Sequence, residues 1–249
     1  MKRSDASLSA NRHAGPNLLL LTVIYVGLMI AGGAKLIAAF RFPHDSAEKA
    51  VAYLAQNGWA IQWGSFCELA SAIPLGIFMA TTVSRLRFLG VRAAGESIAF
   101  LGGIGVTTML VLSSLASWSL TRPGVAEAAG AVSALQAIAF AGGGPGFAVL
   151  LGLFIAGVSI PAGLSKLMPR WLMGLGIAVA LACELSSLSL LNFKAAYFIP
   201  LGRFVSIVWM LGVSLTLPAA LSNPAHDDET NPANQHMTSS VFDAPPQAE

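Results

Sequence analysis

The sequence predicts an all-α membrane protein, a bundle of six transmembrane helices with one short interfacial helix. Of its 249 residues, 55% are hydrophobic and only 10% are charged, whereas a soluble domain carries about 25% charged residues. Six stretches are apolar over about 20 residues or more, which is the length that crosses the hydrocarbon core of a bilayer. Because a backbone in lipid must satisfy its own hydrogen bonds, these stretches are expected to be helices.

The expected spans divide the chain into three regions. Residues 1–16 form a cytoplasmic N-terminal segment, 17–221 the six-helix transmembrane domain, and 222–249 a disordered acidic cytoplasmic tail. The tail is rich in proline and polar residues and holds five acidic residues but no lysine or arginine, so it has little apolar surface to bury. The six predicted spans are 17–40, 59–84, 96–119, 130–160, 171–191 and 199–221.

Lysine and arginine in the short loops set the expected orientation. The N-terminal segment and the loops after the second and fourth spans together hold eight of these residues. The positive-inside rule places those loops, and both termini, in the cytoplasm. We therefore expect a multi-pass membrane protein with both termini in the cytoplasm. A cleaved signal peptide is the alternative interpretation of the first span, since it follows a basic leader.

The short interfacial helix is expected between the first two spans, from Phe42 to Trp59. Asp45 followed by Glu48 resembles a capping box, apolar residues then recur at helical spacing, and Gly58 is expected to end the helix. Tyr53 and Trp59 would lie at headgroup depth.

Charged residues inside the spans are the candidate site. Glu68, Glu184 and Arg203 all fall in the outer half of the bundle, with Gln136 at a similar depth. A charge in a bilayer costs several kcal/mol on insertion scales, so an ionisable residue in a span is a functional candidate. One hypothesis is an outward-facing polar cavity that binds or transports a small solute, ion or proton. The alternative is a structural or regulatory membrane subunit in which a buried Glu–Arg pair only fixes the helices.

The fourth span contains a run of residues that disfavour a regular helix: Gly142, Gly143, Gly144, Pro145 and Gly146. Proline removes a backbone donor and glycine weakens a helix. One hypothesis is a helix break with carbonyls free to bind a ligand. The other is a proline-kinked packing face of the G-x-x-x-G type.

A short motif that occurs in two of the predicted spans suggests an internal repeat. Cys67-Glu68-Leu69 and Cys183-Glu184-Leu185 are each followed, one residue later, by serine. If the protein consisted of two inverted repeats of three helices each, the motif would lie in equivalent spans of the two repeats. A chance match in a low-diversity apolar sequence is the alternative.

Several classes of function are not favoured by the composition. All four histidines lie outside the spans, so axial haem ligation within the bundle is not expected. No phosphate-loop signature is present. We predict no enzyme activity, no catalytic residue, no cofactor and no metal. The expected partners are the lipid bilayer and a small solute, cation or proton, with a homo-oligomer or a membrane partner protein as further candidates and no nucleic acid.

Two stretches in the second half carry a resemblance. Leu167-Met168-Pro169-Arg170-Trp171-Leu172 leads into Leu175-Gly176, and Pro200-Leu201-Gly202-Arg203-Phe204 is followed by Trp209 and Leu217-Pro218. These residues resemble a broad group of uncharacterised bacterial multi-pass inner-membrane proteins, grouped as a domain of unknown function. The resemblance implies a six-helix bacterial membrane protein and transfers no activity, substrate or catalytic residue.

Overall fold

A computed structural model describes residues 12–39, 47–125 and 127–220, without the side chains of 34–39 and 47. The predicted tail, 222–249, lies outside the described residues, as does most of the N-terminal segment. The described chain forms seven α-helices and three shorter helical segments. The α-helices are α1 Leu18–Ala39, α2 Ala47–Phe88, α3 Ala94–Ser119, α4 Ala129–Ala141, α5 Phe147–Leu164, α6 Arg170–Leu185 and α7 Phe198–Thr216. A π-helix covers Gly142–Gly146, and 3₁₀ helices cover Ser186–Leu190 and Phe193–Tyr197.

Five helical stretches of the described chain are long and apolar enough to cross a membrane. Together they account for the last five predicted spans: Glu48–Phe88, Ala94–Ser119, Ala129–Leu164, Arg170–Leu190 and Phe193–Thr216. Helix α1 is 22 residues long, but the apolar part whose side chains are described is the shorter stretch Leu18–Gly33. The predictions of an all-helical fold and of membrane-spanning helices are therefore confirmed.

The prediction of a separate interfacial helix is wrong. From Ala47 onward the segment is the first part of α2, a single helix of 42 residues, about 63 Å long at 1.5 Å per residue. Gly58 lies within this helix and not in the left-handed backbone region. The apolar face of the segment packs within the protein, because Ala50 and Leu54 share a buried cluster with Leu120 and Val132.

The core of the bundle contains a row of three aromatic side chains, one from each of three helices. Phe154 of α5 stands edge-on to Phe78 of α2 and to Trp209 of α7, with ring centroids 6.4 Å and 6.0 Å away. All three side chains are fully buried. The indole N–H of Trp209 donates a hydrogen bond of 2.9 Å to Ser159 Oγ, so the one polar atom of this ring is satisfied.

Glycines allow α3 and α5 to approach until their backbones touch. A Cβ placed on Gly157 would lie 2.6 Å from the backbone nitrogen of Ala99, and one on Gly102 would lie 2.6 Å from that of Phe154. Small residues at helix crossings permit such an approach in membrane proteins.

The ends of α1 and α7 lie side by side. Thr22 Oγ1 and Ser214 Oγ are 3.1 Å apart, so the start of α1 lies beside the end of α7. On the same side, Arg85 near the end of α2 donates to the Leu217 carbonyl at 3.3 Å. These contacts belong to the compact unit Ala14–Leu217. In the second unit, residues 1–13 with 218–249, the described residues form one antiparallel bridge, and the His13 N–H donates to the Ala219 carbonyl at 2.8 Å.

Candidate functional site

A carboxylate and a guanidinium from distant parts of the chain meet within the bundle. Glu68 lies midway along α2 and Arg203 lies in the second turn of α7. Arg203 Nη2 is 3.6 Å from Glu68 Oε1, and the side chains are only 20% and 10% exposed. The distance is longer than the 2.7–2.9 Å of a charge-assisted hydrogen bond. Of the four predicted site residues, these two are therefore brought together as an ion pair.

Arg203 has further partners that hold its guanidinium in place. Its Nη1 donates to the Gly143 carbonyl at 3.3 Å, and its Cζ lies 4.7 Å from the centre of the Phe147 ring. The buried Tyr25 hydroxyl of α1 also interacts with the guanidinium. A desolvated cation–π contact contributes up to about 2 kcal/mol. Arg203 thus links α7 to α1, α2 and the middle of the fourth predicted span.

The glycine-rich run in that span is not a helix break. Gly142–Gly146 continues the helix as one π-helical turn, and the Phe147 N–H bonds the Gly142 carbonyl five residues back. Proline removes one donor from the helix, and the wider turn lets the chain continue past Pro145 without unwinding. Single π-turns inside α-helices are frequent at functional sites.

The same run supplies a packing face. A Cβ on Gly142 or Gly146 would lie 3.5 Å and 3.2 Å from atoms of Met109 on α3. Ser113 of α3 donates to the Ala139 carbonyl at 3.0 Å, and a Cβ on Gly143 would overlap the Ser113 hydroxyl. Gly142 and Gly146 therefore pack against α3, and one carbonyl of the run, that of Gly143, accepts a hydrogen bond from Arg203.

A cavity of about 350 Å³ opens beside the ion pair, between α1, α2 and α7. We call it the ion-pair cavity. It is lined by Leu28, Met29, Ile30, Gly32, Gly33, Gly64, Glu68, Ser71, Arg203 and Phe204. Most of these side chains are apolar, so the prediction of a polar cavity is wrong: among the described lining residues, only Glu68, Ser71 and Arg203 contribute polar side chains. The apolar wall could not be recognised from sequence patterns, because residues 28–33 look like any other part of a span.

The mouth of the ion-pair cavity lies among exposed apolar side chains. Ile30 is 61% exposed and Phe204 is 51% exposed. On a membrane-spanning bundle, such side chains face hydrocarbon. The cavity therefore opens at an apolar surface, and its charged groups, which are only 10% and 20% exposed, lie at its inner end.

Glu184 and Gln136 are not part of this site. Neither residue lines the ion-pair cavity. Glu184 lies on the surface of α6, with its Oε1 3.0 Å from the position of a Cβ on Gly152. Gln136 is partly buried on α4. The prediction that all four residues line one polar cavity is wrong, because Glu184 is exposed with its carboxylate beside Gly152 of α5, and neither Glu184 nor Gln136 lines the cavity.

The two cysteines that precede Glu68 and Glu184 are buried at close helix contacts. A Cβ on Gly32 would lie 2.8 Å from the Cβ of Cys67, and one on Gly202 would lie 2.5 Å from the Cys183 sulfur. The cysteines of the two Cys-Glu motifs therefore play the same packing role, whereas the two glutamates lie in different surroundings.

Sequence reasoning missed three contributors to the site: Tyr25, Phe147 and the Gly143 carbonyl. Tyr25 and Phe147 stand in long apolar runs, where an aromatic residue carries no special signal, and a backbone carbonyl carries none at all. Among the described residues, no group of three or more histidine, cysteine or acidic side chains is arranged to hold a metal ion.

Comparisons with protein-family models, with curated proteins and with solved structures find no match for this chain. The function must therefore be argued from the geometry of the site. That geometry combines an apolar, lipid-facing cavity with a charged pair at its inner end.

Proposed function

We propose that this chain is a six-span protein of a bacterial inner membrane that binds a small amphipathic solute in the ion-pair cavity. The observation that carries the proposal is the combination of an apolar lining, a mouth at the lipid-facing surface, and the Glu68–Arg203 pair at the inner end. Ligand sites are typically apolar clefts of 300–1,000 Å³ with a few polar groups that orient the ligand.

The six-span count rests on how α1 packs. Its start lies beside the end of α7, and its Gly32 packs on Cys67 of α2. Helix α1 thus runs alongside the membrane-spanning helices over at least the eleven residues from Thr22 to Gly32. An even number of spans places both termini on one side, and the basic loops favour the cytoplasm.

The lining favours a solute with an apolar body over a bare ion. An inorganic cation at Glu68 would pass Leu28, Ile30 and Phe204, none of which offers it an oxygen ligand. Transport of an ion or proton is therefore the less favoured form of the original hypothesis. Binding from the lipid side is the step that the cavity supports, and release to either side of the membrane would make the protein a transporter.

We also propose that the protein is not an enzyme. Among the described lining residues, the one hydroxyl belongs to Ser71, and it donates to the Glu68 backbone carbonyl at 2.7 Å. That hydroxyl is therefore not hydrogen-bonded to a side-chain base, which is the usual arrangement of an activated serine.

A structural or regulatory role is the second candidate, favoured by one observation. Arg203 contacts the Gly143 carbonyl, the Phe147 ring and Glu68 at once, so it also holds helices together. In that case the cavity would be only a by-product of packing, and it would bind nothing selectively.

A pair of glycine substitutions on α1 separates these two candidates. Gly33 lines the ion-pair cavity and Gly27 does not, and a Cβ on either has no neighbour within 4 Å. Gly33→Leu should fill the cavity without disturbing helix contacts, and Gly27→Leu adds the same side chain to the lipid-facing surface.

The measurement is thermal unfolding in lipid nanodiscs with decanol as the probe. A ligand at 100 times its Kd stabilises the folded state by about 2.7 kcal/mol. Decanol should raise the Tm of the wild type and of Gly27→Leu equally, and leave that of Gly33→Leu unchanged. An equal rise in all three proteins would show that decanol acts through the bilayer, and no rise in any of them would favour the structural role.

A further inference from the structure

The ion pair at the end of the cavity also limits the chemistry of the ligand's polar end, if the cavity binds as proposed above. Glu68 and Arg203 together carry no net charge. A ligand with a net charge would leave that charge buried among apolar side chains in the membrane, which costs several kcal/mol on insertion scales. A ligand whose polar end is neutral leaves no uncompensated charge in the cavity.

The two charged groups present an acceptor and a donor side by side. Glu68 Oε1 and Arg203 Nη2 are 3.6 Å apart, and both residues line the cavity. Arg203 has the Gly143 carbonyl and the Phe147 ring as further partners. Among the described residues, Arg203 is the one side chain that hydrogen-bonds or forms an ion pair with the Glu68 carboxylate, and the Tyr25 hydroxyl interacts with that carboxylate electrostatically. A buried carboxylate with so few donors has capacity for one more hydrogen bond.

We infer that the ion-pair cavity selects amphiphiles whose polar end is uncharged and carries a hydrogen-bond donor next to an acceptor, the primary carboxamide being the simplest. Its N–H would donate to Glu68, and its carbonyl would accept from Arg203. Because donor and acceptor are adjacent in a carboxamide, both bonds form along one edge of the group, opposite the pair.

The size of the cavity sets the size of the ligand's apolar body. At about 30 Å³ for each water-sized group, 350 Å³ holds roughly 12 such groups. A single chain of about ten carbons with a small polar end fills that space. A single-chain amphiphile of this length is therefore the ligand that the volume matches.

Four ligands of equal chain length test the inference against wild-type protein in nanodiscs, with Kd obtained from the rise in Tm. Decanamide carries donor and acceptor, methyl decanoate an acceptor alone, decylamine a positive charge and decanoate a negative charge. Decanamide should bind roughly tenfold or more tightly than each of the others, because each of them leaves a buried group unpaired or a charge uncompensated. Tighter binding of either ion, or equal binding of all four, would overturn the inference while leaving the proposed function intact. If none of the four binds, the proposed function itself fails.

Substitutions at the pair should reverse the preference in opposite directions. Glu68→Gln leaves Arg203 alone, so decanoate should become the tightest ligand. Arg203→Gln leaves the Glu68 carboxylate without its partner, so decylamine should become the tightest ligand. Glu184→Gln removes a carboxylate outside the cavity and should keep the wild-type order. If either single variant fails to fold, the double variant Glu68→Gln with Arg203→Gln removes both charges, and it should still bind decanamide more tightly than either ion. Preference for one ion in that double variant would overturn the inference.

Discussion

Replacing Gly32 by alanine tests the contact that forms one wall of the ion-pair cavity. The new Cβ would lie 2.8 Å from the Cβ of Cys67 and 3.3 Å from the carbonyl oxygen of Gly64. Two carbon atoms pack best at 3.5–4.0 Å, so α1 and α2 would have to separate by up to about 1 Å. The obstruction is the first atom of the cysteine side chain, which no rotamer can move. Overpacking of this kind costs about 1–3 kcal/mol.

The neighbouring residue is the matched control. Gly33→Ala lies on the same helix, and its Cβ would have no neighbour within 4 Å. Alanine also favours a helix over glycine by about 1 kcal/mol, and this gain is common to both variants. The difference between the two free energies of unfolding therefore isolates the steric cost, and Gly32→Ala should be less stable than Gly33→Ala by about 1–3 kcal/mol.

The assay is reversible unfolding in mixed micelles of a mild detergent and dodecyl sulfate, followed by tryptophan fluorescence. Adding Cys67→Gly to Gly32→Ala removes the obstructing atom, so a double-mutant cycle should show a favourable coupling between the two substitutions. Equal stability of Gly32→Ala and Gly33→Ala, within about 0.5 kcal/mol, would refute the close approach of α1 and α2.

Three further substitutions probe the core and the ion pair by the same unfolding assay. Arg203→Met should cost about 3–5 kcal/mol because it leaves Glu68 as an uncompensated buried charge, and adding Glu68→Gln should recover most of that loss. Ser159→Ala should cost about 1–3 kcal/mol, since the buried N–H of Trp209 loses its acceptor. Gly157→Ala should destabilise the protein more than Arg203→Met or Ser159→Ala does, or prevent folding. Its Cβ would meet the backbone of α3, which cannot move aside as a side chain can.

Each of these variants, or in the first case its rescuing substitution Glu68→Gln, has a control of the same chemistry elsewhere in the chain. Glu184→Gln neutralises a carboxylate on the surface of α6, Ser133→Ala removes an exposed hydroxyl on α4, and Gly174→Ala adds a Cβ where none has a neighbour within 4 Å. Glu184→Gln and Ser133→Ala should stay within about 0.5 kcal/mol of the wild type, and Gly174→Ala should be more stable by up to about 1 kcal/mol because alanine favours a helix over glycine. A control that is as destabilised as its partner would contradict the local mechanism assigned to that partner.

The fold class could be predicted from the sequence because hydrophobicity over about 20 residues is a strong signal. Helix ends outside the hydrocarbon were harder to predict. Gly58 was expected to end a helix, but a single glycine costs only about 1 kcal/mol, and the packing of Leu54 on Leu120 and Val132 carries α2 past it. The effect of Pro145 could not be predicted either, because the same residues are compatible with a π-turn and with an unwound break in the helix.

Half of the candidate site could be predicted from the rarity of charges in membrane spans. Glu68 and Arg203 form the expected pair, but depth along a helix does not reveal which way a side chain faces. Glu184 lies at a depth similar to that predicted for Glu68, yet it faces outward. Tyr25 and the Gly143 carbonyl could not be found from sequence patterns, because their role depends on which helices are neighbours.

The burial of Cys67 and Cys183 also determines how the cavity can be probed. Both thiols are almost fully buried at helix contacts, so labelling them reports local opening of the bundle and not access to Glu68. A cysteine introduced at Gly33 lines the cavity itself. It should react with N-ethylmaleimide, and decanol should protect it, whereas a cysteine at Gly27 should gain no protection.

Photo-crosslinking of a bound amphiphile tests the central claim most directly. The probe is a decanol analogue with a diazirine in its chain, irradiated with the protein in nanodiscs and followed by mass spectrometry of the peptides. The account predicts adducts concentrated on Leu28, Met29, Ile30 and Phe204, competed away by decanol and lost in Gly33→Leu. Adducts spread over lipid-facing residues such as Leu20 and Leu215, unchanged by Gly33→Leu, would show that the ion-pair cavity is not a binding site.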